Sequence, residues 1–177
     1  MAFSQLVPED GTGLANANTY CSLSYSISYF SVKQNTAWLA LDSQQQELYL
    51  IQATDVLDQR YGLGYRGNIL TETQSLLFPR TTFADKHGRV IEAGTIPDSL
   101  KNAQCEMAIL AMDGSAEVDP NQSQNNLKSY TDKVDVLEET KEYFGPISSS
   151  TYSQVTRILN PIMVNTFGGF QATAVRG

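Results

Sequence analysis

The sequence predicts a mainly α protein: a small helical bundle of about four helices, with extended N- and C-terminal arms and a minor β-hairpin or strand. Two observations favour this fold. Apolar residues recur at helical spacing in four segments, and glycine, asparagine and proline separate those segments. With 177 residues, 41% of them hydrophobic, the chain is long enough to build one ordinary core.

We divide the chain into three parts. Residues 1–114 are predicted to form the helical-bundle core with its N-terminal arm. Residues 115–149 are predicted to form a mobile loop, rich in Asn, Gln, Asp and Ser, and then an acidic extended or strand segment that includes 133–137. Residues 150–177 are predicted to form a C-terminal helix over 150–160 and an apolar docking tail.

The first helix is predicted to begin near Ser22, whose side chain can cap it. Leu23, Ile27 and Phe30 recur at intervals of four and three, which indicates one apolar face. Trp38 follows in a short apolar turn. We interpret it as a buried core residue, because a lone tryptophan in such a place more often packs than binds a ligand.

The second helix is predicted over residues 44–61. Ser43 and Gln46 have the spacing of a capping box, with Asp42 as the alternative cap. The predicted apolar face consists of Leu48, Ile51, Val56 and Leu57, with Ala53 and Tyr61 at its margins.

Two carboxylates, Asp55 and Asp58, lie three residues apart near the end of this helix, beside Arg60. Paired carboxylates can carry acid–base chemistry. We interpret them instead as solvated residues that form surface ion pairs.

A loop follows from residue 62 to about 96. Its Gly62-Leu63-Gly64-Tyr65-Arg66-Gly67 matches G-x-G-x-x-G by chance, because it follows a helix and opens none. Phe78, Pro79 and Arg80 are typical of a packed, proline-stiffened corner, with Arg80 free to pair with a carboxylate. His87 lies in a predicted turn before a short strand at 90–91.

The third helix is predicted to start at Pro97 and Asp98 and to stop at Asp113-Gly114. Its apolar face consists of Leu100, Ala103, Met107, Leu110 and Ala111. In the last helix the shared face consists of Tyr152, Val155 and Leu159.

The C-terminal tail is apolar but too rich in glycine and proline for a helix. Such a tail is predicted to dock, either on the chain's own domain or on another subunit. The candidate docking residues are Ile162, Met163, Val164, Phe167 and Phe170.

Composition disfavours several functions. The net charge of −7 and the lack of clustered Lys and Arg argue against stable nucleic-acid binding by a monomer. Cys21 and Cys105 have no metal-type spacing, and His87 has no nucleophile pattern near it, so we expect no enzyme, no cofactor and no metal. No apolar run of membrane-spanning length occurs, so we expect a soluble protein that does not enter a membrane.

A series of short motifs runs from residue 9 to 111. It consists of segments 9–13, 16–20, 29–30, 50–58, 77–80, 88–89, 96–97 and 103–108, and of Trp38, Asp55, Asp58, Tyr61, Gln74, Phe78, Pro79 and Arg80. The order of these motifs resembles the head–tail connector adaptors of tailed phages, which often carry the name DnaT-like single-stranded-DNA-binding protein. The chain departs from that family in two respects: Phe78 stands where the family usually has Trp before Pro-Arg, and the part beyond Gly114 matches only loosely.

The resemblance implies a structural virion protein with no catalytic residue and no cofactor. It implies a homo-oligomeric ring, commonly of twelve subunits, that joins the portal to tail or neck proteins and extends the DNA channel. DNA would pass through without tight binding, because acidic subunits repel phosphate. The implied location is the head–tail interface of the virion, after assembly in the host cytoplasm.

The alternative is a DnaT-like single-stranded-DNA-binding replication protein. Base stacking on Tyr or Phe could contribute about 1–3 kcal/mol per base, but it normally accompanies a basic groove.

Overall fold

Two long helices in contact form the centre of the protein. The computed structural model describes residues 6–116, 129–134, 137–142 and 152–164. Helix α3 (Ser43–Tyr61) packs against α4 (Asp98–Met112), and α5 (Ser153–Leu159) also packs on α4. Helices α1 (Leu23–Val32) and α2 (Thr36–Leu39) complete the bundle, since α1 contacts α2, α3 and α4. The mainly α fold is confirmed.

The helix starts follow the cap chemistry of the sequence, with one correction. Ser22 caps α1 by accepting a hydrogen bond from the Tyr25 amide, as predicted. The capping box of α3 is formed by Asp42 and Gln45 rather than by the predicted pair one residue further on. Asp42 was the alternative cap, and its carboxylate accepts from the Gln45 amide at 2.8 Å.

The buried face of α3 is rotated from the one that apolar periodicity predicts. Leu48 is 43% exposed, although we predicted it in the core. The buried side of α3 includes polar residues, so it does not follow a purely apolar stripe. The buried residues of this helix are Gln46, Leu50, Ala53, Thr54, Leu57 and Tyr61. In α1, Ile27 is likewise 38% exposed, while Ser26 and Phe30 are buried.

Helix α4 begins after Pro97 and carries Asp98 in its first turn, as predicted. Leu100, Ala103 and Met107 are fully buried. The polar side chain of Gln104 on α4 is equally buried and was not predicted in the core, and the neighbouring Cys105 thiol is also fully buried.

Two small antiparallel hairpins accompany the helices. Strands β1 (Phe83–Ala84) and β2 (Val90–Ile91) pair Phe83 with Ile91. Strands β3 (Ser129–Val134) and β4 (Leu137–Glu142) pair in a second hairpin, so the single strand predicted through 133–137 is wrong.

None of the helices in the described ranges combines the length and the apolar content that a membrane span requires.

The chain returns to the core after α5. This helix is shorter than the predicted 150–160, and a 3-10 turn, Asn160–Ile162, follows it. The predicted face of Tyr152, Val155 and Leu159 is buried.

Candidate assembly surface

A buried glutamine joins the N-terminal arm to the two central helices. The Gln104 side-chain amide lies within hydrogen-bonding distance of the Leu50 carbonyl and of the Thr19 and Thr54 hydroxyls. Its carbonyl accepts from the amides of Tyr20 at 3.1 Å and Cys21 at 3.0 Å. The Tyr20 and Cys21 amides are both paired by the one Gln104 carbonyl, so this side chain fixes the arm in place.

Glu9 makes a second buried polar junction that the sequence did not predict, within the N-terminal arm. Its carboxylate is buried and accepts from the amides of Gly11, Gly13 and Leu14 at 2.9–3.0 Å. Gly11 has a φ of 99°, and a Cβ there would lie 2.1 Å from the Gly94 carbonyl oxygen. The segment 9–13 is thus a turn that only glycine can close, and it serves structure rather than ligand binding.

Asp58 is part of the same framework and not a solvated ion pair, which corrects the prediction. Its carboxylate accepts from the Tyr20 hydroxyl at 2.5 Å and from the Leu77 amide at 3.1 Å. Burial raises the pKa of Asp58, and the hydrogen bonds from Tyr20 and Leu77 and the nearby Arg80 oppose that rise. Asp55, one turn earlier, is exposed instead, so the two carboxylates do not act as a pair.

The 78–80 corner is packed as predicted, but Arg80 is not free. Phe78 is fully buried and meets the ring of Tyr65 edge to face, with centroids 5.1 Å apart. The Phe78–Pro79 peptide bond is cis. The Arg80 guanidinium donates to four backbone carbonyls at 2.8–3.2 Å, those of Gly62, Tyr65, Gly67 and Leu77. Arg80 therefore holds the 62–67 loop, and it forms no ion pair with a carboxylate of the described residues.

Trp38 is fully buried, as predicted, with its ring centroid 4.9 Å from that of Phe30. Its backbone carbonyl accepts from the Gln46 side chain at 2.9 Å. Trp38 thus ties α1 and α2 to the start of α3 and offers no ring to a ligand.

The candidate docking residues divide into three groups. Ile162 and Met163 are buried in the chain's own core, at 1% and 6% exposure, so their side chains are not open to another subunit. Val164 is 44% exposed, and its amide donates to the Gly64 carbonyl at 2.7 Å. Phe167 and Phe170 lie outside the described residues.

Leu63 and Val164 form what we call the exit corner, where the C-terminal segment leaves the bundle. Leu63 is the residue before Gly64, the hydrogen-bond partner of Val164, and its side chain is fully exposed. Two exposed aliphatic side chains at this corner offer an apolar contact to another chain.

A groove runs along the outer side of α3 and has a volume of about 960 Å³. We call it the α3 groove. It combines aliphatic side chains with one carboxylate and one guanidinium, and it is lined by Leu48, Tyr49, Gln52, Asp55, Val56, Gln59, Arg60, Ala111, Gly114 and Ala116. Partial burial raises the pKa of Asp55.

Basic side chains in the described ranges are largely engaged within the chain. Arg66 and Arg80 donate to backbone carbonyls, Lys86 donates to the Asn160 side chain, and Arg60 lies 4.3 Å above the Tyr152 ring. Three ion pairs engage further cations: Lys33 with Glu106, Arg89 with Asp85, and Lys101 with Asp98. Arg157 is exposed on α5.

One surface strip interleaves aromatic and basic side chains between α1 and α4. Lys33 lies 4.5 Å from the Tyr29 ring centroid, and Lys101 lies 5.5 Å from that of Tyr25. Each hydroxyl is fixed, Tyr25 to Asn102 at 2.9 Å and Tyr29 to Glu106 at 2.6 Å. Burial raises the pKa of Tyr25 to about 12. We call Tyr25, Tyr29, Lys33 and Lys101 the Tyr–Lys strip.

Reactive groups do not converge in the part of the chain that the structure covers. No cluster of His, Cys, Asp or Glu there is arranged to hold a metal ion. Cys21 and Cys105 are buried free thiols, and the hydrogen bond between them, together with burial, raises the pKa of Cys105. His87 is exposed in the β1–β2 turn, where Asp85 accepts from its backbone amide.

Comparison with known proteins gives one match. The family model described as "Putative DnaT-like ssDNA binding protein" matches residues 4–177. Searches of the curated proteins and of the solved structures found no match.

Proposed function

We propose that this chain, which belongs to the DnaT-like ssDNA binding protein family, is a structural virion protein that connects a phage portal to its tail or neck. In this role it assembles as a ring, with twelve subunits as the expected number, and extends the DNA channel. The observation that carries the proposal is the net charge of −7, together with the pairing of most described cations within the chain.

The net charge of the protein favours a channel through which DNA passes over a protein that binds DNA. A protein that holds DNA by its backbone displaces counterions with unpaired Lys and Arg side chains. Here the net charge is −7, and the described cations are mostly bound to carbonyls, carboxylates or a ring. A ring of such subunits repels phosphate within a Debye length of about 8 Å at physiological salt, so DNA slides without sticking.

Surface apolar groups support assembly. The exit corner presents Leu63 and Val164 on the outside of an otherwise well-packed bundle. Val32 is also strongly exposed, at 86%, but it is the last residue of α1 and belongs to a different segment of the chain. Exposed aliphatic side chains beside a chain exit suit a subunit or portal contact.

The test is binding to the portal protein of the same virus, followed by native mass spectrometry or electron microscopy. We expect a closed ring on the portal. Leu63→Asp is expected to abolish the complex, while the control Val32→Asp retains it. Far-UV circular dichroism checks that both variants fold. Protein that stays monomeric and fails to bind the portal contradicts the proposal.

A second candidate, single-stranded-DNA binding, is favoured by the family description and by the Tyr–Lys strip. Aromatic rings beside lysines are the usual platform for stacked bases. Against this, Glu106 and Asp98 already neutralise Lys33 and Lys101, and the Tyr29 hydroxyl is bound to Glu106.

Titration of a fluorescent oligonucleotide at low salt separates the two candidates. The connector proposal predicts no saturable binding by the free protein. Micromolar, salt-sensitive binding that the Lys33→Ala/Lys101→Ala variant loses, and the control Lys86→Ala keeps, favours the second candidate.

A further inference from the structure

Three cations lie around the C-terminal end of α5, and none of them forms an ion pair with a described carboxylate. The Lys86 ammonium donates to the Asn160 side-chain carbonyl at 2.6 Å. The Arg66 guanidinium donates to the Met163 backbone carbonyl at 3.1 Å. Arg157 precedes Asn160 by three positions, which makes the two side chains neighbours on the helix surface. We call Arg66, Lys86 and Arg157 the basic corner.

The positive charge of the basic corner is not compensated by its partners. The acceptors of Lys86 and Arg66 are neutral carbonyls, and residues 152–164 contain no Asp or Glu. Asp85, next to Lys86 in the chain, is buried and already accepts from the Arg89 guanidinium at 2.9 Å. The basic corner is therefore a positive area on a protein whose net charge is −7.

Exposed aliphatic side chains adjoin these cations. Val164, in the exit corner, directly follows Met163, the residue whose carbonyl accepts from Arg66. Val90 is 62% exposed and pairs with Ala84 in the first hairpin, and the Ala84 carbonyl accepts from Arg66 at 3.1 Å. Aliphatic groups beside arginine are typical of surfaces that bind another protein chain.

A surface of this kind fits a partner that presents carboxylates. A second copy of this chain presents them, since Glu72, Glu92 and Asp113 are exposed and form no ion pair among the described residues. Two copies with a net charge of −7 repel each other, so a contact between them requires a positive area on one side. The basic corner supplies such an area.

We propose that the basic corner and the adjoining exit corner of one copy bind a carboxylate-bearing surface of the next copy. The two surfaces in this contact differ, so the contact is heterologous, and repetition of it around an axis generates a ring. This inference rests on the proposed function, because it assigns the contact between the subunits of that ring.

Carbodiimide cross-linking tests the contact in the full-length chain. The reagent joins an amine to a carboxylate that touches it, so Lys86 is the residue of the basic corner that reacts. Isotope-labelled and unlabelled chains are mixed at low salt, both free and with the portal protein, and mass spectrometry identifies products that combine the two. We expect Lys86 to be joined to a carboxylate of the other chain. Lys33 and Lys101 are the internal control, because each is paired with a carboxylate of its own chain.

Charge-matched variants test whether the position of the cations matters. Lys86→Gln/Arg157→Gln and Lys33→Gln/Lys101→Gln each remove two positive charges, so both variants have the same net charge. Sedimentation velocity at low salt measures self-association, and far-UV circular dichroism checks the fold. The first variant is expected to associate about tenfold more weakly than the wild type, and the second to stay within about twofold. Added salt is expected to weaken the association of the wild type.

The absence of a Lys86 product between chains overturns the inference, and so do equal losses of association in the two variants. Oligonucleotide binding that Lys86→Gln/Arg157→Gln loses also overturns it, because that result assigns the basic corner to phosphate. Binding to the portal judges the connector role separately. Rings that form on the portal without a Lys86 product leave the connector role standing while this inference fails.

Discussion

The Tyr20 hydroxyl donates a hydrogen bond of 2.5 Å to the carboxylate of Asp58, thirty-eight positions later in the chain. The bond ties the N-terminal arm to α3 in a site where Phe78 packs edge to face on Tyr20 with centroids 6.4 Å apart. Its second partner, the Leu77 amide, belongs to the loop that leads to Arg80. Asp58 thus connects the N-terminal arm, helix α3 and the loop that leads to the 78–80 corner.

Tyr20→Phe is expected to lower the free energy of unfolding by about 1–3 kcal/mol, because it leaves a buried carboxylate with one partner fewer. Urea denaturation followed by circular dichroism measures the change. Tyr49→Phe is the matched control, since no described residue accepts a hydrogen bond from the Tyr49 hydroxyl, and it is expected to unfold like the wild type. Equal losses in the two variants contradict the role of the Tyr20–Asp58 bond.

The pH dependence of stability follows from the raised pKa of Asp58. Burial raises this pKa above the unfolded value near 3.8, so between the two values the folded protein binds more protons than the unfolded chain. The contribution of Asp58 to stability therefore increases as pH falls from above the folded pKa towards 3.8. Asp58→Asn removes this titration.

Urea denaturation at several pH values tests that sign. The difference in unfolding free energy, wild type minus Asp58→Asn, is expected to become more favourable to the wild type as pH is lowered towards 4. A difference that is constant with pH, or that changes in the other direction, contradicts it. Glu47→Gln serves as the control for removal of a carboxylate from the same helix.

Arg80→Lys is expected to destabilise the protein by about 3 kcal/mol or more, although it conserves the charge. A planar guanidinium can reach four carbonyls at once, whereas an ammonium has three donors on a different geometry and leaves carbonyls unpaired. The measurement is again urea denaturation. Arg157→Lys, at an exposed position of α5, is expected to stay within about 0.5 kcal/mol of the wild type.

Local patterns in the sequence were sufficient for α1, α3, α4 and α5, whereas the short α2 was predicted as a turn. Ser22 and Pro97 mark two helix starts by cap and first-turn chemistry, which depends on residues within one turn. The α3 cap was misplaced by one residue because Asp42 and Ser43 are both good caps, and only the carboxylate makes the bond.

The polar core could not be predicted from such patterns. Gln104, Thr54 and Asp58 are typical of helix surfaces, and their burial depends on partners up to 85 positions away. Apolar periodicity placed Leu48 inside for the same reason, since it ignores polar side chains that are buried with partners. A glutamine between the apolar positions of α4 was the available signal for that network.

The role of Arg80 was mispredicted because its acceptors are backbone carbonyls. Every residue carries a carbonyl, so the sequence does not show which ones a loop leaves unpaired. The apolar tail was recognised from its composition, but its first residues dock on the chain's own core.

Two truncations test where the core ends. Removal of residues 165–177 is expected to keep the far-UV helical signal and most of the stability, because the described core does not include them. Removal of residues 162–177 also deletes Ile162 and Met163, which are buried in the core. This larger truncation is expected to lower the free energy of unfolding by a further amount of about 4 kcal/mol, the effect of emptying one or two core sites. Circular dichroism and urea denaturation of both proteins give the comparison. If the two truncated proteins have the same unfolding free energy, Ile162 and Met163 do not belong to the cooperative core, and the boundary of the tail moves back to the end of α5.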